Sequence, residues 1–211
     1  MNFLSSLHSP TASSLVDLAR FWWRQPGGSS VTSTEQAMEW LIAHIPFRQH
    51  QLCKPAVADD LLEFCSEHQG TYTWAFDPMT PSRTVYGRAR PDSDWGLETS
   101  ALDVFLAQIV VFEAAVGCAA PTSAFASCIH WRDILQALSG LERVLEHWTW
   151  PTETRFYASN TALAFSTCEP ESWGDLAVVS VGAELPTPLP SVIERTQACW
   201  TSLTIDGVCK R

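Results

Sequence analysis

The 211-residue chain, 23.4 kDa, is 46% hydrophobic and only 17% charged, with a formal net charge of −10 and a pI near 4.9. That is enough apolar material for a sizeable core, while 13 Lys and Arg supply no basic stripe for phosphates; a general nucleic-acid binder and an anionic membrane surface are both disfavoured. No apolar run approaches the roughly 20 residues of a membrane-spanning helix.

Met1 to Pro10 shows neither a basic segment nor an apolar run after it, so no secretory signal is read there. Leu15, Leu18, Ala19 and Trp22 recur at helical spacing and predict a first helix, with Ser13 or Ser14 as N-cap. Gln25 to Ser30 breaks that pattern, and Gly27-Gly28 is the expected hinge. A second helix is announced by Ser33 or Thr34, then Gln36 and Glu39; its stripe of Ala37, Trp40, Leu41 and Ile45 stops near Pro46. Residues 46–60 carry Pro46 and Pro55 with no period and read as a connection.

From Leu61 the pattern turns to strands. Leu61 to Cys65 is a short apolar run, Ser66 to Gly70 is turn-like with Gly70 free to take positive φ, and Thr71 to Phe76 sets Tyr72, Trp74 and Phe76 on one face. A turn at Asp77 to Ser82 leads to a third strand at Thr84 to Arg88, and the three predict an antiparallel meander. Thr99 or Ser100 opens the strongest helix, with Leu102, Phe105, Leu106, Ile109, Phe112 and Val116 on one face and Gly117 as C-cap. Residues 129–147 are helix, loop or both; 154–158, 161–166 and 175–181 are strand candidates. Pro186, Pro188 and Pro190 lead into a last helix near 190–200. The predicted class is α+β: an N-terminal helical extension over 1–28, then a single domain over 29–211. That domain holds a mostly antiparallel sheet of about six strands, packed by the long core helix and a C-terminal helix.

Chemistry is sparse. The seven cysteines, at 53, 65, 118, 128, 168, 199 and 209, form no Cys-x-x-Cys and no zinc-ligand spacing, so they read as reduced thiols of a cytoplasmic protein. There is no nucleophile elbow, Walker loop or glycine-rich dinucleotide loop. The expectation is no enzyme, no metal and no cofactor. The enzymatic alternative is a site assembled from His44, His68 or His130 beside Cys65 or Cys128.

The stretch from Leu62 through Glu67-His68-Gln69-Gly70 and Trp74 to Pro78, followed by Val85 to Arg88, resembles the SUKH superfamily, with His68 where the family's turn carries Asn. The helix from Leu102 to Val116 follows at a similar distance; Trp131-Arg132, Arg155 to Tyr157 and Leu163 to Phe165 continue the likeness loosely. The resemblance implies an α+β domain and, in bacteria, an immunity protein that neutralises a toxin by binding it.

Charge distribution agrees with a binding role. Residues 55–120 hold ten acids and three bases, whereas residues 1–54 are nearly neutral. An acidic surface favours rapid capture of a basic toxin or effector domain, and Trp is favoured at interface hot spots. Of ten tryptophans, six or seven are expected in the core. Trp95, in Asp92-Ser93-Asp94-Trp95-Gly96, and Trp173, in Glu169-Pro170-Glu171-Ser172-Trp173, stand in polar loops that no core face demands. The candidate partner-binding residues are Asp92, Asp94, Trp95, Glu98, Glu169, Glu171 and Trp173, with Asp59 and Asp60 beside them. No direct nucleic-acid or membrane contact is expected, and the chain is read as a monomer or weak homodimer. The alternative is a secretion adaptor or chaperone for an effector, an obligate dimer.

Overall fold

The computed structural model describes residues 3–26, 30–118, 122–130, 140–149, 153–168, 176–183, 202–205 and 208–210. Helices and antiparallel sheets make it α+β, and the chain divides into two compact units, Ser9–Val110 and Met1–His8 with Val111–Arg211. No described helix is long and apolar enough to cross a membrane.

In the unit Ser9–Val110, helix α2 (Ala12–Trp23; α1, Phe3–His8, belongs to the other unit) is started by Thr11. The Thr11 hydroxyl accepts from the Ser14 amide at 3.3 Å while the Thr11 amide donates to Ser14 Oγ at 2.8 Å. This reciprocal pair makes Thr11 the N-cap instead of Ser13 or Ser14. Leu15, Val16, Leu18, Ala19 and Trp22 form the buried stripe. Helix α3 (Thr34–His44) packs on α2; Ser33 caps it by accepting from Gln36, and it stops at Ile45, ahead of Pro46.

Five strands follow in chain order as one antiparallel sheet: β1 (His50–Ala58), β2 (Leu61–Glu67), β3 (Thr73–Phe76), β4 (Val85–Arg88) and β5 (Gly96–Thr99). The expected meander is β2–β3–β4, and Gly70 sits at φ +70° in its first turn. Two further strands flank it. β1 was masked by Pro55, which an interior strand would reject; as an edge strand broken by a register shift between Leu52 and Ala56, β1 accommodates it. β5 is too short and too polar at its start to show a pattern.

Helix α4 (Leu102–Glu113) lays Phe105 against this sheet, 5.5 Å between centroids from both Phe64 and Trp74. Its first amide is taken by the Ser82 carbonyl at 3.1 Å. On the same side of the sheet Gly87 lies under Tyr72: an added Cβ would stand 2.5 Å from the Tyr72 ring and 2.9 Å from Glu98 Oε2.

In the other unit, α4 ends in a π-helical turn, Ala114–Cys118, whose Ala115 carbonyl accepts from buried Ser180 Oγ at 2.6 Å. Phe112 stacks on Phe165 at 4.2 Å and on Trp148 at 5.4 Å. The strands are β6 (Thr122–His130), β7 (Glu142–Trp148), β8 (Thr154–Ala158), β9 (Ala162–Cys168), β10 (Leu176–Ala183), β11 (Ser202–Ile205) and β12 (Val208–Lys210), ordered β12-β11-β6-β10-β9-β8-β7. β8, β9 and β10 match the three strand candidates. Of the stretch 129–147, expected as helix, loop or both, residues 131–139 lie outside the described residues; from Glu142 it forms β7, which pairs with β8 and carries buried Val144 and Trp148, with Leu145 at φ +62° in the irregularity between them.

Two expectations change, and a third is untested. The sheet of about six strands becomes two sheets, of five and seven strands. The boundary at residue 28 falls inside the unit Ser9–Val110, because α2 packs on α3. The helix near 190–200 lies outside the described residues, and β11 and β12 beyond it were not anticipated.

Gly87→Ala is expected to destabilise the chain by about 1–3 kcal/mol through overpacking against Tyr72, measured by urea unfolding followed by tryptophan fluorescence. Exposed Glu153 accepts from Arg155 Nε at 2.8 Å, and this bond holds its carboxyl below the ordinary 4.5 while burial pulls the other way. A lowered folded-state value means that the pair stabilises above the unfolded value and loses that contribution as pH falls through the folded one. Arg155→Gln should therefore move the Glu153 midpoint upward in a carboxyl-carbon NMR titration.

Candidate functional site

The five-stranded sheet has two faces. Trp74 and Gly87, paired across β3 and β4, lie on the side of Phe105; by alternation Glu63, Ala75, Tyr86, Arg88 and Leu97 share the opposite, outer face. Leu97 is 64% exposed there, beside half-buried Tyr86.

Arg88 organises that face. Its Nη1 donates to Asp59 Oδ2 at 3.4 Å and to the Pro91 carbonyl at 3.2 Å, and its Nη2 stands 3.6 Å from Glu63 Oε2. The guanidinium carbon lies 4.0 Å from the centroid of the Trp95 ring, and Trp95 Nε1 donates to the same Asp59 Oδ2 at 3.2 Å. One cation thus meets two carboxylates, a carbonyl and an aromatic face.

Register alone would not bring these residues together. Arg88 pairs with Thr73, and Thr73 with Ser66, whereas Asp59 lies beyond Leu61 at the tip of the β1–β2 hairpin. In a flat sheet the stretch of β2 from Leu61 to Ser66 would span roughly 16 Å. The contact at 3.4 Å means that the hairpin folds over the outer face. Its bends are the register shifts between Leu52 and Ala56 in β1 and between Glu63 and Cys65 in β2, since a bulge bends a strand and adds twist. The tip is a two-residue turn with Asp59 at φ +58°, a conformation that Asp tolerates.

The structure thus joins Asp59 and Trp95 directly and places exposed Asp60, Asp92 and Asp94 in the same two connections. Within this cluster the Arg88 side chain is only 12% exposed, Glu63 34% and Asp59 70%. Trp95 is half-buried, with one ring face covered by Arg88. Glu98 is a correction. It is the extra residue at the β4–β5 register shift, and this turns its carboxylate away from the surface, 6% exposed and accepting from Tyr72 Oη at 3.4 Å. Glu169, Glu171 and Trp173 lie outside the described residues. Arg88 and Glu63 were missed: the only signal was that Arg88 is one of three bases among ten acids in residues 55–120.

Of the tryptophans described, Trp22, Trp74 and Trp148 are buried and Trp23, Trp40 and Trp95 half-buried. His44 stacks on Trp40 at 4.6 Å and places Nδ1 2.8 Å from the Trp40 carbonyl, His68 is exposed, and Cys65 is buried. The side chains of Cys128 and His130 are not among those described. The thiol of surface-exposed Cys53 is pushed up by partial desolvation and then by the charge of Glu63. Among the described residues, no three His, Cys, Asp or Glu gather as a metal would require. A cleft of about 150 Å³ lies between α3 and β1, lined by Ile42, Ile45, Pro46, Phe47, His50, Gln51 and Leu52.

No protein-family model, curated protein or solved structure matches the chain.

Trp95→Leu removes both the ring under Arg88 and the donor to Asp59. Amide hydrogen exchange at Ala58 and Leu61 should then accelerate several-fold, the size expected for a partly exposed cluster, while exchange in α2 stays unchanged.

Proposed function

We propose that this chain is a cytoplasmic immunity protein that binds a basic toxin or effector domain through the outer face and connections of its five-stranded sheet. The observation that carries the reading is the meeting of Trp95 with Asp59 amid exposed Asp60, Asp92 and Asp94. An aromatic side chain with an acidic rim suits a hot spot for a cationic partner. Exposed Leu97 beside Tyr86 extends the apolar part of the patch. Long-range attraction brings the partner in quickly, and burial of Trp95 and Leu97 slows its release. The resemblance of Leu62–Pro78 and Val85–Arg88 to the SUKH superfamily supports the same reading, with neutralisation by occlusion and no catalytic step. Glu169, Glu171 and Trp173 remain candidates for a second contact region, and the chain acts as a monomer or weak homodimer.

The test is co-expression with a small basic toxin domain encoded next to this chain, scored as rescue of growth, followed by binding of the purified pair. Asp92→Lys with Asp94→Lys is expected to weaken binding about 10- to 100-fold and to flatten its dependence on salt. Unchanged affinity and salt slope would remove these loops from the interface; absence of rescue with every neighbouring toxin domain would overturn the immunity reading.

A further inference from the structure

We infer that Asp59, Glu63 and Trp95 form a guanidinium-recognition site, and that Arg88 fills it in the free chain as a stand-in for an arginine of the partner. The inference rests on the proposed basic partner and goes further, naming the group that is recognised.

The chemistry is in the residues. An indole face supplies the quadrupole that attracts a flat cation, and carboxylates at its edge accept from the guanidinium fork. Arg88 demonstrates both, with its guanidinium carbon 4.0 Å from the ring centroid and its terminal nitrogens facing Asp59 and Glu63. The Trp95 ring is aimed by a bond that does not depend on Arg88, Nε1 to Asp59 Oδ2 at 3.2 Å.

The occupancy of the site is unequal. Glu63 is largely covered, whereas the Asp59 side chain is 70% exposed, so one carboxylate of the pair is open to solvent while already aligned with the indole. Charge in these connections favours a second cation: Asp59, Asp60, Glu63, Asp92 and Asp94 stand against Arg88 and Arg90, an excess of three negative charges. An incoming arginine takes the Asp59 oxygens and competes with Arg88 for the indole. Lysine, a compact and strongly hydrated charge without the planar fork, gains less. Competition has a consequence that a purely structural Arg88 does not share: removing Arg88 makes the site bind an external guanidinium better.

The experiment uses the full chain labelled with nitrogen-15, following the Trp95 indole N–H resonance, identified by its loss in Trp95→Phe. The probes are N-acetylarginine amide and N-acetyllysine amide. The arginine probe should move the Trp95 resonance saturably and bind several-fold more tightly than the lysine probe. Arg88→Gln should tighten arginine binding about three- to fivefold, while Asp59→Asn abolishes the shift. Hydrogen exchange at Ala58 and Leu61, held by the Trp95–Asp59 bond that Arg88→Gln leaves in place, reports that this variant keeps its hairpin. A variant that loses that protection is replaced by Arg88→Met, which keeps the covering stem and carries the same expectation. No movement of Trp95 by the arginine probe, or an affinity unchanged or weakened on removing Arg88, overturns the inference. The two readings fail separately. A toxin domain that binds without perturbing Trp95 sinks the guanidinium site and leaves immunity standing; an arginine probe that binds as expected, with no toxin domain captured, does the reverse.

Discussion

The shape of the five-stranded sheet begins with two register shifts in one hairpin, which bring its tip to one guanidinium. Arg88 stands at the end of β4, yet it touches the tip of a hairpin whose strands would carry that tip away in a flat sheet. The contacts are unequal in weight. Asp59 is mostly exposed, and a pairing in water contributes little. Glu63 and the Trp95 face are better covered, so the Arg88 contribution rests mainly on them. The bend itself lies in the backbone, at the two register shifts.

The opposite face of the sheet is governed by volume. Phe64, Trp74, Phe76 and Phe105 meet edge to face or tilted at about 5.5 Å, a spacing that leaves no slack. Gly87 is a product of that crowding: Tyr72 crosses β4 where a side chain would stand, and its hydroxyl reaches Glu98. The two faces of β4 therefore answer different demands, with Gly87 yielding space on one side and Arg88 collecting charge on the other.

Much of the unit Ser9–Val110 was legible. The stripes of α2 and α3, the meander from Leu61 to Arg88, the positive φ of Gly70 and the helix after Ser100 all follow from local pattern. What escaped depended on distant partners. Pro55 hid β1 because a proline is tolerated only where the strand has an open edge, and edge position is a property of the sheet. Glu98 looked like a surface acid because its inward turn comes from a one-residue register shift with β4. Asp59 and Trp95 could be named singly, each from its polar loop. Their union through Arg88 could not, because the curl of the hairpin is written in bulges that have no residue signature.

The guarded edge of β1 has a consequence for self-association. Lys54 and Pro55 sit in its irregular stretch, so a second sheet finds a charge and a missing donor where it would need a ladder. At the other end β5 is short and carries Leu97. Pairing of β5 with a second β5 would use up the edge that a third copy needs, so growth by that edge would close at two copies.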